Sequence, residues 1–153
     1  MTPRAWLHRL LGIPTTRAIR GATTVPHDDP HQIAVAVTEL VEELTEANAL
    51  APHEIVSAIF TVTTDLTSAF PAVAARAAGW EQVPLLCTTE IPVPDGMPRC
   101  IRVLLHVERA WGDRRPVPAY LRGAGALRPD LALAPSRPRE SPAPAVRRNR
   151  PAA

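Results

Sequence analysis

The sequence predicts an α/β sandwich, a mixed β-sheet packed against two helices. The stretch CIRVLLHVER, residues 100–109, alternates Ile101, Val103, Leu105 and Val107 on one side, the two-residue period of a half-buried strand. The stretch DDPHQIAVAVTELVEELTEANAL, residues 28–50, repeats Ile33, Val37, Leu40, Val41 and Leu44 at helical spacing. Around them, β-branched runs alternate with an alanine-rich run, in the order β-α-β-α-β-β-β.

The first strand is RAIRGATTVP, residues 17–26, ending in a turn. In the long helix Asp29 is the N-cap, Pro30 suits the first helical position, and Gln32 completes a capping-box-like pattern. Glu39, Glu42, Glu43 and Glu46 lie largely off the apolar stripe and read as a solvated face rather than a metal site. EIVSAIFTVTT, residues 54–64, is β-branched and fits a largely buried strand. SAFPAVAARAAGW, residues 68–80, reads as a short helix with Pro71 near its start and Gly79 as its stop. EQVPLLCTTEIPV, residues 81–93, is the third strand, and Asp95-Gly96 signals a hairpin into the fourth. PAYLRGAGALRPDLAL, residues 118–133, closes the domain with a turn or short helical segment and then a last short strand. There is no internal repeat.

Of the 153 residues, 46% are apolar, enough for one domain with a core, but only 4% are aromatic, so that core is aliphatic. The net charge of +2 is unevenly spread. Residues 134–153 hold five arginines against one glutamate, a contribution of +4, so the rest of the chain carries −2. The basic balance therefore belongs to a proline-rich tail that lacks the apolar surface to order itself, and gives no footprint for nucleic acid on the domain. Residues 1–16 read as an N-terminal extension rather than a signal peptide, because His8 and Arg9 interrupt the apolar stretch. Residues 17–133 are the domain. No apolar run approaches the ~20 residues that span a bilayer. Two cysteines, Cys87 and Cys100, are too few for a disulfide framework or a zinc site and suit a reducing, cytoplasmic setting.

The usual catalytic signatures are missing: no glycine-rich phosphate loop, no GxSxG elbow, no HExxH. His8, His27, His31 and His53 fall in the extension, loops or helix starts and read as surface residues. Cys87 has no His or Lys near it in sequence to activate it. What stands out is arginine in apolar settings: Arg20, Arg76, Arg102 and Arg128. Arg102 lies in the apolar run of the fourth strand, where a buried guanidinium is costly without an anion to meet it. Several such arginines point to a pocket for a small molecule with more than one carboxylate or phosphate. Glu90 can add an acceptor and Tyr120 a phenol donor. A site of this kind has no nucleophile and no proton shuttle. It suits a unimolecular reaction, in which the enzyme selects a conformer and stabilises developing charge.

RAIRGATTV, DLTSAFPAVAARAAGW, VPLLCTTEIPV, CIRVLLHV and YLRGAGALRPDL resemble, in order and spacing, the monofunctional AroH-class chorismate mutases, the Bacillus-type trimeric family. The likeness runs from Arg17 to about Leu131. It implies a trimeric pseudo-α/β-barrel with sites at subunit interfaces, and the Claisen rearrangement of chorismate to prephenate in phenylalanine and tyrosine biosynthesis. That reaction needs no cofactor, metal or covalent intermediate. The resemblance gives Arg102 to the ether oxygen and a carboxylate, Arg20 and Tyr120 to carboxylate, and Glu90 and Cys87 to the ring hydroxyl. It makes Phe70, Ala72, Leu86 and Leu127 substrate-contacting walls. By the same resemblance Arg76 matches an arginine near the pocket mouth, and Arg128 a mobile C-terminal arginine. Two departures stand within the match: Val73 replaces a lysine, and the segment from Phe70 to Trp80 is one residue shorter than the best-known pattern. A trimeric dicarboxylate-binding protein without activity is one alternative, and a Rid-like enamine/imine deaminase, whose motifs these residues do not fit, is another.

Overall fold

The computed structural model describes residues 11–131. The first ten residues of the N-terminal extension, and the whole basic tail, lie outside the described residues. Strand β1 spans Thr15–Thr24 and helix α1 spans Pro30–Asn48. A 3-10 turn at Pro52–Glu54 leads into β2, Ile55–Val62. Helix α2, Pro71–Ala75, runs into a π-type turn at Arg76–Trp80. Strands β3 (Leu85–Thr89), β4 (Cys100–Arg109) and β5 (Ala119–Tyr120) follow, then a 3-10 helix at Arg122–Leu127.

The five strands form one mixed sheet in the order β3-β2-β4-β1-β5. β4 pairs antiparallel with both β1 and β2, while β3 runs parallel to β2 and β5 parallel to β1. The fourth strand occupies the residues its alternation predicted, and its inward side chains Ile101, Val103, Leu105 and Val107 are buried. The whole α1 stripe is buried against them. Gly21 makes this contact possible: a Cβ there would lie 2.8 Å from Leu44 Cδ1 and 3.0 Å from Val103 Cγ1. Both helices cover the same side of the sheet, leaving the other side open.

At the start of α1, Asp29 Oδ1 accepts the Gln32 N–H at 2.9 Å, as an N-cap should. The reciprocal half of the box is displaced: Gln32 Oε1 accepts from the His27 N–H, because the Asp29 N–H already donates to the His27 carbonyl.

Two expectations change. Asp95 (φ 62) and Gly96 do turn the chain, with Gly96 N–H donating to the Val93 carbonyl at 3.1 Å. However, β3 and β4 are not neighbours, since β2 lies between them. Pro92, Pro94 and Pro98 have no N–H, so the segment around this turn cannot build a ladder. For the same reason β3 stops at Thr89, short of Val93. The last strand, β5, precedes the helical segment instead of following it. No helix among the described residues is long and apolar enough to cross a membrane.

Candidate active site

The open side of the sheet carries the alternate side chains of the same strands: Arg20, Arg102, Leu104, Ile59, Thr61 and Leu86. Register fixes this. Arg102 lies opposite Thr61 on β2, and Leu104 opposite Arg20 on β1. At one end, the 3-10 helix folds back over β1, with Gly123 N–H donating to Thr24 Oγ1 at 3.1 Å. Ala22, Tyr120 and Ala124 are buried together there, with Met97, Leu127 and Leu131 against them.

Between this cap and the strands lies a cavity of about 430 Å³ lined by Arg20, Ile59, Thr61, Arg102, Leu104, Tyr120, Leu127 and Arg128, among others. Its walls are mostly apolar and its charge is mostly positive. Arg102 is 46% exposed at its side chain, so it is not the buried cation the sequence suggested. It still has its anion. Its Nε lies 3.1 Å from Oε1 of Glu90, whose side chain is only 16% exposed. Thr61 Oγ1 donates to the same Oε1. Glu90 follows β3 directly, and its own N–H donates to the Val62 carbonyl at 2.9 Å, which fixes where its side chain begins. Glu90 and Arg102 also line an adjoining depression of about 530 Å³, walled by Ile91, Val93 and Met97.

Arg128 is held by Asp130 through two hydrogen bonds, Nε to Oδ1 at 2.9 Å and NH2 to Oδ2 at 2.7 Å. The Arg128 hydrogen bond holds the Asp130 carboxyl below its ordinary value, and the same bond raises Arg128. Both acidic partners meet their arginine through its Nε, leaving NH1 of each guanidinium outside those contacts. The three arginines outnumber Glu90 and Asp130, so the cavity keeps an excess of positive charge.

The structure therefore brings Arg20, Arg102, Tyr120, Leu127 and Arg128 around one cavity and attaches Glu90 to it. Phe70, Ala72, Arg76, Leu86 and Cys87 do not line it. Cys87 lies opposite Phe60 in register and faces the helix layer, packed on the core. Glu90 points to the open side, so the two fall on opposite faces, as strand alternation requires. Cys87 and Phe70 share a separate depression of about 240 Å³. Phe70 is 73% exposed, Val73 beside it 62%, and Leu86 on the open face 59%. Arg76 is exposed, whereas Ala72 is buried. His27, His31 and His53 are exposed, as expected, and His106 Nδ1 lies 3.1 Å from Ser57 Oγ. Cys100 is buried, which pushes its thiol up.

Sequence reasoning passed over Thr61, Ile59, Leu104 and Asp130. The signal for Thr61 was its parity: Ser57 and Thr61 give one side of β2 a polar character that a strand buried on both faces would lack. Among the described residues no three or more His, Cys, Asp or Glu side chains gather as metal ligands.

Comparison with known proteins agrees with this arrangement. The chain is 51% identical over 116 residues to a chorismate mutase AroH of Thermus thermophilus, covering 75% of this chain and 95% of that protein. It is 38% identical over 118 residues to chorismate mutase AroH of Bacillus subtilis strain 168, covering 76% and 93%. Its fold matches a chorismate mutase from Clostridium thermocellum with a TM-score of 0.65 at 42% identity, over 72% of this chain and 98% of that one. Residues 16–131, which include every side chain around the cavity, match the family described as chorismate mutase type I, and the chain belongs to that family.

Proposed function

We propose that this chain is a chorismate mutase whose active sites are each completed by a second copy of the chain. The observation that carries the chemistry is the cluster of Arg20, Arg102 and Arg128 around one apolar-walled cavity, with Glu90 held on Arg102. A volume of about 430 Å³ suits a small dianion. In the reaction the ether C–O bond of chorismate breaks and a new C–C bond forms within the same molecule. No group is transferred to the protein. Bond breaking runs ahead of bond making, so negative charge grows on the ether oxygen. A fixed guanidinium there stabilises the transition state more than the substrate. Arg102 takes that place: Glu90 occupies its Nε and its remaining donors face the ether oxygen and one carboxylate. Arg20 and Tyr120 bind carboxylate, and Glu90 accepts the ring hydroxyl; Cys87, which faces the helix layer, takes no part in holding it. Leu127 and Leu86 supply apolar wall, and Arg128 closes the C-terminal side.

The two-chain reading rests on what one chain leaves apart. Phe70, Ala72 and Arg76 stand away from the arginine cavity. Ile91, Val93, Leu86 and Leu104 expose apolar surface at 84%, 62%, 59% and 36%. A homotrimer that covers the open face brings Phe70, Ala72 and Arg76 of one chain to the cavity of the next. Two free thiols suit the cytoplasm as the place of action.

Mixing tests it. Arg102→Ala and Arg76→Ala damage different halves. Each homotrimer should be slow, and co-expressed at equal amounts they should recover about a quarter of the wild-type rate, because one interface in four pairs two intact halves. No recovery in mixed trimers would place the whole site within one chain.

A further inference from the structure

We infer that Thr61 is a positioning residue for Glu90, a deepening that rests on the mutase reading above. Thr61 lies on β2 directly opposite Arg102 on β4, so both side chains rise from the open face at the same level. Their donors converge on one atom: Thr61 Oγ1 and Arg102 Nε both meet Oε1 of Glu90. Oε2 is the oxygen these two donors leave to a ligand hydroxyl.

A glutamate side chain has several rotatable bonds, and ordering it costs entropy. Arg102 alone is a poor anchor for it. An arginine and a carboxylate with no other partner tend toward a two-bond fork that uses two guanidinium nitrogens. That fork would draw a second nitrogen of Arg102 away from the reacting atoms. Thr61 prevents it. Its β-branched side chain is stiff at χ1, it sits on a central strand, and its hydroxyl holds Oε1 beside Nε of Arg102. Thr61 therefore keeps Glu90 in place for the hydroxyl and spares Arg102 a second bond to that carboxylate. It touches neither reacting atom and acts through Glu90.

The test uses the full-length protein, chorismate as the probe, and two variants. Thr61→Val keeps the shape and removes the donor, and Thr61→Ser keeps the donor. A hydrogen bond to a charged group predicts a loss in kcat/KM of about ten- to a hundredfold for Thr61→Val, mostly in kcat. Thr61→Ser should stay within about threefold of wild type. In a Glu90→Gln background, Thr61→Val should cost less than about twofold further, because the residue it positions is already altered. Thr61→Val at wild-type activity overturns the inference. So does an equal loss in the Glu90→Gln background, or an equal loss in Thr61→Ser, since either would mark a structural effect. If the wild-type protein itself leaves chorismate unchanged, the mutase reading falls and this inference with it.

Discussion

Arg102 is where the electrostatic account can be broken most cleanly. Its pair with Glu90 is half-exposed on the arginine side, and ion pairs of that kind contribute about 0–1 kcal/mol to stability. Arg102→Ala should therefore move the melting temperature by only a few degrees. Its effect on rate should be far larger. Losing one donor aimed at a developing oxyanion costs about 10²–10³ in kcat, roughly 2.7–4 kcal/mol, and here a full charge is lost as well, so that range is the lower bound. Arg102→Lys should recover only part of it. An ammonium is a point charge and cannot hold Glu90 on one side while presenting a fork on the other. The decisive replacement is citrulline at position 102, which keeps the planar shape but is neutral. The assay is the loss of chorismate absorbance in the ultraviolet, with acid conversion of prephenate to phenylpyruvate as proof of product. The citrulline protein should be nearly as slow as Arg102→Ala. If it turns over chorismate at the wild-type rate, charge at the ether oxygen is not what drives the reaction, and the account of Arg102 fails.

Two further predictions concern the frame around the site. Gly21→Ala should destabilise the protein by about 1–3 kcal/mol, read from the denaturant midpoint, because the new Cβ would press on Leu44, Val103 and Leu40 in a packed core. Asp28 accepts hydrogen bonds from the backbone and hydroxyls of both Thr67 and Ser68, just ahead of Phe70. Those bonds, Ser68's hydroxyl first, lower its pKa from 3.8 to about 2. The folded value lies below the unfolded one, so the stabilisation is complete above about pH 4 and is lost as pH falls toward 2. Acid unfolding curves of wild type and Asp28→Asn should differ by a constant amount from pH 5 to 8 and converge below about pH 4; a gap that persists at pH 2 would contradict the sign.

The parts of the fold written in local periodicity were legible in the sequence. The α1 stripe and the alternation of β4 each bury one face, and burial leaves a pattern that a single segment can show. Asp29 and Pro30 likewise announce the start of α1. What failed was decided between segments. Asp95-Gly96 signals a turn, but which strands flank that turn in the sheet depends on β2, which intrudes between β3 and β4. β5 is two residues long and has no period to detect. In the site, the arginines could be singled out because a cation in an apolar run needs a partner. The partner could not be named, since Glu90 belongs to a different strand connection and meets Arg102 only through the pairing of β2 with its two neighbours. Thr61 was passed over for the same reason: a threonine on a strand is ordinary until the register places it opposite Arg102.

The exposure of that pair bears on how the site works. With Arg102 46% exposed at its side chain in one chain, water screens its charge, and a screened guanidinium distinguishes poorly between substrate and transition state. The same charge at the same distance is worth several times more once the dielectric falls. Among the described residues of one chain nothing supplies that change, because the walls that would exclude water, Phe70 among them, stand apart from the cavity. Under the two-chain proposal, assembly supplies it in one step: the apolar open face is covered, and the cavity gains its missing wall. Stability of the assembly and catalytic power then have a common cause. Substitutions that weaken the subunit contact, such as Leu104→Ala, should lower kcat in step with the loss of trimer on dilution, although Leu104 carries no charge. A dissociated chain that kept full kcat would separate the two and show that Arg102 needs no second chain to act.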